Sequence, residues 1–243
     1  MAGQIYIGTS GWNYDHWQGR LYPEDLPQDQ WFDHYAQHFA TVEINNTFYQ
    51  QPTNATLDQW RKQAPTGFLY AVKANRYITH IKRLKEPKKP LKRLFTNFRR
   101  LKKHLGPILY QLPPHWNVNL ERLKHFVEEL PSKLSHVMEF RNRDWLCEQT
   151  YELLPEHSVG LCVNYMLRRH PRRLTGPITY VRFHGSGKKY GGKYRKRRLE
   201  AWVDWIAEIV DDCDVFVYFN NDDDAHAVDD AQRLKEMIDQ RGL

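Results

Sequence analysis

The sequence predicts a single-domain α/β protein folded as a (β/α)8 TIM barrel, with irregular extra loops at the carboxyl-terminal face of the barrel. Two observations lead to this prediction. Short apolar runs alternate with helical segments along all 243 residues, and no linker or change in composition divides the chain 1–243. Alternating strands and helices in a chain of about 250 residues are typical of this barrel. An open, doubly wound parallel sheet is the alternative that the same alternation allows.

Eight runs rich in β-forming residues predict the strands. Several are almost continuously apolar, as expected for parallel strands that are buried on both faces. The predicted strands are Gln4–Thr9, Thr41–Ile44, Phe68–Val72, Pro107–Gln111, His136–Phe140, Val159–Asn164, Thr179–Phe183 and Asp214–Phe219.

Apolar residues between these runs recur with the 3.6-residue period of an amphipathic helix. Parallel strands joined by helices imply right-handed crossovers. The apolar stripes lie within Trp31–Phe39, Leu91–Leu101, Leu120–Leu130, Leu199–Ile209 and Val228–Ile238.

The cysteines and the apolar runs bear on the compartment. Cys147, Cys162 and Cys213 are far apart and odd in number, which argues against a disulfide framework and a cysteine zinc site. No run approaches the roughly 18 apolar residues of a membrane span, and no basic leader precedes Ile5–Ile7. We therefore expect a cytoplasmic protein with no membrane partner. No glycine-rich dinucleotide motif or P-loop is present, so no cofactor is identified.

The net charge of +7 is unevenly distributed. Lys82–Lys103 carries eleven Lys or Arg against one acid, Glu86, and two further basic stretches are Arg168–Arg173 and Lys188–Arg198. The last two follow predicted strands six and seven and therefore overhang the rim of a barrel. Each stretch is either a solvated surface or part of a positive field that attracts a polyanion such as nucleic acid.

Polar and charged side chains follow the carboxyl ends of the predicted strands, where barrels carry their active sites. A buried Lys or Arg there needs an acidic partner, and Glu43 and Glu139 are available. The candidate catalytic residues are Glu43, Glu139 and His184. The candidate ligand-binding residues are Trp12, Asn45, Tyr49, Lys73, Gln111, Arg141, Arg182, Asn220 and Asn221.

These residue types allow several chemistries. Two carboxylates could divide acid and base duties in a hydrolase, a lyase or an isomerase. Lys73, Arg141 and Arg182 suit a phosphate or carboxylate anion. Lys73 could instead be a Schiff-base nucleophile, which requires a lowered pKa. The alternative to any ligand is a structural network of charges that closes the mouth of the barrel.

Metal binding and aromatic stacking are further alternatives at this rim. A metal site could draw on Glu43, Glu139, His184, Asp222 and His226, but no metal-ligand spacing supports it and none is assigned. Aromatic residues just beyond the strand ends form either a stacking wall for a sugar or base or the packing of a lid. These residues are Trp12, Tyr14, Trp17, Phe48, Tyr49 and Trp145.

A set of short motifs recurs at the predicted strand ends over nearly the whole chain. The motifs are Gly8–Trp12, Val42–Tyr49, Ala71–Ala74, Ile78–His80, Gly106–Pro107, Gln111–Pro114, Glu139–Arg141 with Trp145, Tyr180–Gly185, and Tyr218–Asn221 with His226–Ala227. In this order they resemble the YecE-like family, which is also called domain of unknown function 72. The resemblance implies a TIM barrel and supplies no reaction. Two positions depart from it, since Asn164 stands where relatives often carry Asp and Asp144 where they often carry Ser.

The leading hypothesis is an enzyme that acts on a phosphate-bearing or otherwise anionic ligand at the carboxyl-terminal rim of the barrel. In this hypothesis Glu43 or Glu139 is the acid or base, and His184 transfers a proton or orients a neighbour. One alternative is a nucleic-acid-binding protein, such as a nuclease or repair factor, that uses the three basic stretches. Another is a non-catalytic scaffold.

Overall fold

Eight parallel strands form a barrel in the computed structural model, which describes residues 3–167, 170–186 and 190–243. Their order in the sheet is β1-β8-β7-β6-β5-β4-β3-β2, and a parallel bridge between Ser10 and Glu43 joins the two end strands. This topology confirms the predicted TIM barrel and excludes the open sheet. The strands are β1 Ile5–Thr9, β2 Thr41–Ile44, β3 Leu69–Lys73, β4 Leu105–Gln111, β5 His136–Glu139, β6 Val159–Asn164, β7 Ile178–Phe183 and β8 Asp214–Phe219.

The helices surround the strands. They are α1 Trp31–His38, α2 Asn54–Gln63, α3 Lys88–Phe98, α4 Leu120–Val127, α5 Glu148–Glu156, α6 Lys196–Ile209 and α7 His226–Arg241. The five predicted apolar stripes lie on α1, α3, α4, α6 and α7, and three of them run one to three residues past the end of the helix. The sequence predicted no stripe on α2 or α5. α2 buries only Leu57, and its start is marked by a cap, since Thr53 Oγ1 accepts a hydrogen bond from the backbone N–H of Thr56 at 3.1 Å.

Apolar residues form two separate cores because strand side chains alternate between the two faces of the sheet. The larger core lies between the strands and the helices. The smaller core fills the barrel interior and consists of Ala71, Leu109, Val137, Cys162, Ile178, Tyr180, Phe216 and Tyr218, with Tyr6 and Leu69 against it. All three cysteines are free. Within the described ranges, no helix is long and apolar enough to cross a membrane.

Gly8 is required where β1 approaches β2 to complete the barrel. A Cβ atom at this position would lie 2.3 Å from the carbonyl oxygen of Thr41. The absence of a side chain therefore allows the close approach. The approach in turn brings Ser10, two residues later, onto Glu43 at the mouth.

Candidate functional site

A layer of charged side chains lies directly above the apolar barrel interior. Lys73 and Arg182 each follow an interior residue, Ala71 and Tyr180, by two positions. Because successive strand residues alternate in direction, residues two apart face the same side of the sheet. Glu139, Gln111 and Asn164 obey the same rule after Val137, Leu109 and Cys162.

Arg182 is the centre of this layer, and its side chain is 1% exposed. Its Nη2 atom donates to Glu43 Oε1 at 2.8 Å, and its Nη1 atom donates to Glu139 Oε2 at 2.8 Å. The Nε atom adds a third bond to Glu43 Oε1 at 3.2 Å. The prediction that Glu43 and Glu139 are partners of a buried cation is therefore confirmed.

Glu43 is completely buried, and every contact it makes stabilises its charged form. Besides the arginine, the hydroxyl groups of Ser10 and Tyr180 donate to it at 2.5 and 2.6 Å. Burial opposes ionisation, but the charge of Arg182 and these hydrogen bonds hold the pKa of Glu43 below its ordinary value. Glu43 is thus a fixed carboxylate that anchors Arg182.

Glu139 is also buried and is held between two guanidinium groups. Arg141 Nε donates to its Oε1 atom while Arg182 binds its Oε2 atom. Burial raises the pKa of Glu139, but the charges of Arg141 and then Arg182 outweigh this and lower it. Both candidate acid or base carboxylates are therefore ionised and engaged, and their catalytic roles remain predictions.

His184 has one tautomer that satisfies its neighbours. Arg141 Nη2 lies 2.9 Å from its Nε2 atom, and the carbonyl oxygen of Arg182 lies 3.2 Å from its Nδ1 atom. An arginine only donates and a carbonyl only accepts, so Nε2 is unprotonated and Nδ1 carries the proton. Burial and the charges of Arg182 and Arg141 hold the pKa of His184 well below its ordinary value. Neutral His184 therefore orients Arg141, which is one of its two predicted roles.

Lys73, at the end of β3, differs from the other cations of the layer. Its Nζ atom lies 4.2 Å from the centre of the Phe48 ring. Among the described residues, we find neither a hydrogen bond nor an ion pair to its ammonium group. Burial and the charge of Arg182 lower the pKa of Lys73 to about 8, against the opposing effect of Glu139 and Glu43. Lys73 is therefore an amine that can exchange a proton near neutral pH.

Three other predicted ligand-binding residues lie at the ends of strands around this layer. Asn45 Oδ1 accepts a hydrogen bond from Arg182 Nη2 at 3.3 Å. Gln111 pairs in register with Glu139. Asn220 follows β8, and its backbone N–H donates to the Phe183 carbonyl oxygen at 2.7 Å. Asn45, Gln111 and Asn220 are all half-buried, so ligand contacts through them remain predictions.

The structure places Trp12, Tyr49 and Asn221 away from the charged layer. Trp12 packs edge-on against Trp60, with ring centres 5.8 Å apart, and so belongs to the helix layer. Tyr49 is 72% exposed on the outside of the rim. Asn221 is buried, and its amide donates to Asp230 Oδ2 at 2.9 Å. Asn221 lies three residues after Tyr218, which points inward, so strand alternation sends it to the other face.

The sequence interpretation did not select two residues that hold Glu43 in place, Ser10 and Tyr180. A signal for both was present. Tyr180 precedes Arg182 by two positions on the same strand face, and Ser10 follows Gly8 by two at the β1–β2 junction. Residues of one face in adjacent strands are neighbours, and these hydroxyl groups are the donors that a buried carboxylate requires.

The residues considered for a metal site do not form a set of metal ligands. In the described part of the chain, no three His, Cys, Asp or Glu residues are grouped so that they could hold a metal ion. Asp222 accepts a hydrogen bond from Trp17 Nε1 at 2.9 Å and contacts His16 at 3.0 Å. It therefore fastens the segment after β1 to the end of β8.

The second and third basic stretches are partly neutralised by acids from distant elements. Arg173 pairs with Glu148 at 2.8 Å, and Lys193 pairs with Asp229 at 3.0 Å. These contacts reduce the charge that the two stretches offer to a polyanion. Arg168, Arg169, Lys188 and Lys189, which also belong to these stretches, lie outside the described residues.

Comparison with known proteins identifies the family. The family described as "Protein of unknown function DUF72" matches residues 6–243. The UPF0759 protein YunF of Bacillus subtilis is 28% identical over 97% of this chain and 95% of its own. The UPF0759 protein YecE of Escherichia coli is 30% identical over 57% of this chain and 48% of its own.

The solved structure of a DUF72 family protein from Thermotoga maritima superimposes with a TM-score of 0.87. It is 27% identical and the match covers 97% of this chain and 99% of that one. The sequence match and the shared barrel agree over almost the whole length. The chain therefore belongs to the DUF72 family, which confirms the YecE-like resemblance of its motifs.

Proposed function

We propose that this protein is a cytoplasmic enzyme that binds a phosphate-bearing or otherwise anionic small ligand at the mouth of the barrel, next to Lys73. The observation that carries the proposal is the state of the Lys73 amine. It is half-buried beside Phe48, and the described residues offer it no ion-pair partner. An ammonium group in that position favours a ligand that brings a negative charge.

The charge balance of the layer supports an anion over a cation. Arg182 and Arg141 bind the two carboxylates, Glu43 and Glu139, so these four charges compensate one another. Lys73 then supplies the positive excess. Arg141 is the more accessible guanidinium, with 8% of its side chain exposed, and it is held in place by His184. Lys73 and Arg141 are therefore the groups that we expect to touch the anion.

The proton-transfer role fits Lys73 better than either carboxylate. A general acid or base works best when its pKa lies near the operating pH, and the pKa of Lys73 is about 8. Glu43 and Glu139 would have to release an arginine before they could accept a proton. We therefore assign acid–base work to Lys73 and the positioning of Arg182 and Arg141 to the two glutamates.

Anion binding can be measured with inorganic phosphate as the probe. We expect phosphate to raise the melting temperature of the wild-type protein at constant ionic strength, and we expect Lys73→Met to lose most of this shift. The matched control is Lys103→Met, which removes an exposed cation on the helical turn before β4. An equal phosphate shift in the wild type and in Lys73→Met would refute binding at this site.

Catalysis requires a second readout. NMR of the protein mixed with a panel of sugar phosphates and phosphorylated hydroxy acids would detect conversion of a substrate. We expect conversion to disappear in Lys73→Met. Phosphate binding without conversion of any anionic substrate in a broad panel would reduce the proposal to a binding protein.

A further inference from the structure

A cavity lies outside the charged layer, on the rim between the carboxyl ends of β2 and β3 and helices α3 and α4. Its volume is about 1050 Å³. Tyr49–Gln51 and Asn75–Ile78 form one wall, and the amino-terminal part of α3 and His125 of α4 form the other. Pockets for single small ligands usually measure about 300–1,000 Å³, so this groove is at the upper end of that range and has room for an extended ligand.

The groove is strongly basic. Four cations line it: Lys82, Lys88, Lys89 and Arg93. The carboxylate in its described lining, Glu86, is already bound to Lys82 at 2.7 Å, and Lys88 lies 3.4 Å from Glu129. In the described ranges, no acid pairs with Lys89 or Arg93. The groove therefore presents positive charge that its own residues do not compensate.

The start of α3 adds to this positive charge. α3 begins at Lys88, and its first turn contains Lys89 and no acidic residue. The amino-terminal end of a helix carries a partial positive charge. The lysines at this end add to that positive charge, so a bound anion would be stabilised there. Among the three basic stretches, Lys82–Lys103 is thus the one with the most uncompensated charge in the described structure.

Exposed aromatic rings stand among these cations. Tyr49 is 72% exposed and Tyr77 is 45% exposed, and both line the groove. Ile81, one helical turn after Tyr77, is 63% exposed. Large exposed apolar side chains beside lysines and arginines are how proteins bind unpaired bases, because the rings stack on bases while the cations meet phosphates.

The groove lies near the barrel mouth, since residues of its lining are close in the chain to residues of the mouth. Asn75 lines the groove and lies two residues after Lys73, and Tyr49 follows Phe48, whose ring packs on the Lys73 ammonium. A chain-like ligand in the groove would therefore pass beside the mouth.

We propose that this groove binds single-stranded nucleic acid without sequence preference. Bases stack on Tyr49 and Tyr77, and phosphates meet Lys89 and Arg93. In a duplex the bases are already stacked on one another, so the tyrosines would find no free base face. A single strand is therefore favoured over a duplex. This site is separate from the anion site at Lys73, and the two proposals can fail independently.

Fluorescence anisotropy with labelled single strands of about 20 nucleotides, one of thymidine and one of deoxyadenosine, tests the proposal. We expect Tyr49→Ala and Tyr77→Ala each to weaken binding of both strands by about 5- to 150-fold, whereas Tyr49→Phe and Tyr77→Phe retain it. A duplex of the same length should bind more weakly.

Charge variants test the phosphate contacts. Combining Lys89→Glu with Arg93→Glu should weaken binding and reduce the slope of log affinity against log salt by about 1.4, the value for two single-strand phosphates. The matched control combines Lys102→Glu with Lys103→Glu, since both are exposed cations of the same stretch but lie outside the groove lining. This control should keep both affinity and slope.

Three results would overturn the proposal. The first is equal affinity for the single strand, the duplex and heparin, which would indicate a general polyanion surface. The second is unchanged binding in Tyr49→Ala and Tyr77→Ala. The third is a control at Lys102 and Lys103 that weakens binding as much as the groove variant.

Discussion

Replacement of Arg182 by methionine tests the charged layer most directly. The variant keeps an unbranched apolar stem and removes the guanidinium group and its charge from between Glu43 and Glu139. Glu139 keeps one arginine, whereas Glu43 keeps only the hydroxyl groups of Ser10 and Tyr180. Breaking a buried ion pair on one side costs about 3–5 kcal/mol. For a domain of this size that corresponds to a fall in melting temperature of about 6–20 °C.

The pH dependence of this loss of stability in Arg182→Met identifies its cause. In the wild type the pKa of Glu43 is lowered, so its ion pair stabilises the fold above the ordinary carboxyl pKa and the contribution is lost as pH falls through the lowered value. In Arg182→Met, burial acts without a cation and should raise the pKa of Glu43. The difference in melting temperature between the wild type and Arg182→Met should then be largest at pH 7.5 and smaller at pH 5, where Glu43 of the variant takes up a proton. Thermal unfolding followed by far-ultraviolet circular dichroism measures both.

A second substitution should rescue the variant. Adding Glu43→Gln removes the uncompensated charge and keeps an oxygen for the Ser10 and Tyr180 hydroxyl groups. The control is Arg241→Met, which breaks an exposed pair with Asp204 and should change the melting temperature little. A melting temperature of Arg182→Met within 2 °C of the wild type at pH 7.5, or no recovery on adding Glu43→Gln, would contradict a stabilising role for the Arg182 ion pairs.

Two further predictions follow from the geometry. Gly8→Ala should lower the free energy of unfolding by about 1–3 kcal/mol, because its Cβ atom would lie 2.3 Å from the Thr41 carbonyl oxygen. An unfolding midpoint in urea equal to that of the wild type would contradict this. Binding of sulfate, whose charge is constant from pH 6 to pH 9, should weaken as pH rises through about 8, because the pKa of Lys73 is about 8. Lys73→Arg should abolish this dependence, and a wild-type affinity that stays flat over that range would argue against Lys73 as the anion contact.

The charged layer could be predicted from the sequence because a barrel fixes where strand ends meet. Glu43, Glu139 and Arg182 lie at the last or the second-last position of their strands, and a buried arginine requires acids. Residues two positions after an apolar interior residue face the interior too. By this rule Lys73 and Gln111 face the interior and Asn221 does not, which the sequence alone could have indicated. The alternation of side-chain direction along each strand therefore selects the residues of the charged layer better than closeness to the strand end alone.

The state of each group depends on distances that sequence patterns do not contain. His184 is a neutral orienting group only because Arg141 and the Arg182 carbonyl oxygen occupy its two nitrogens. Arg173 and Lys193 are neutralised by Glu148 and Asp229, which lie 25 and 36 residues away in the chain. The groove at Tyr49 and Tyr77 likewise arises from elements that meet only in the fold.

The charged layer is difficult to explain as a structural closure of the barrel. One layer below, the same strands fill the interior with side chains such as Val137 and Tyr180. Burying Arg182 between two glutamates gives, in general, no more stability than apolar side chains of similar volume. Lys73 adds a half-buried charge for which the described residues supply no ion-pair partner, and its partial desolvation lowers stability further. A ligand that brings negative charge next to Lys73 would offset that cost, which favours an anion site over a structural network.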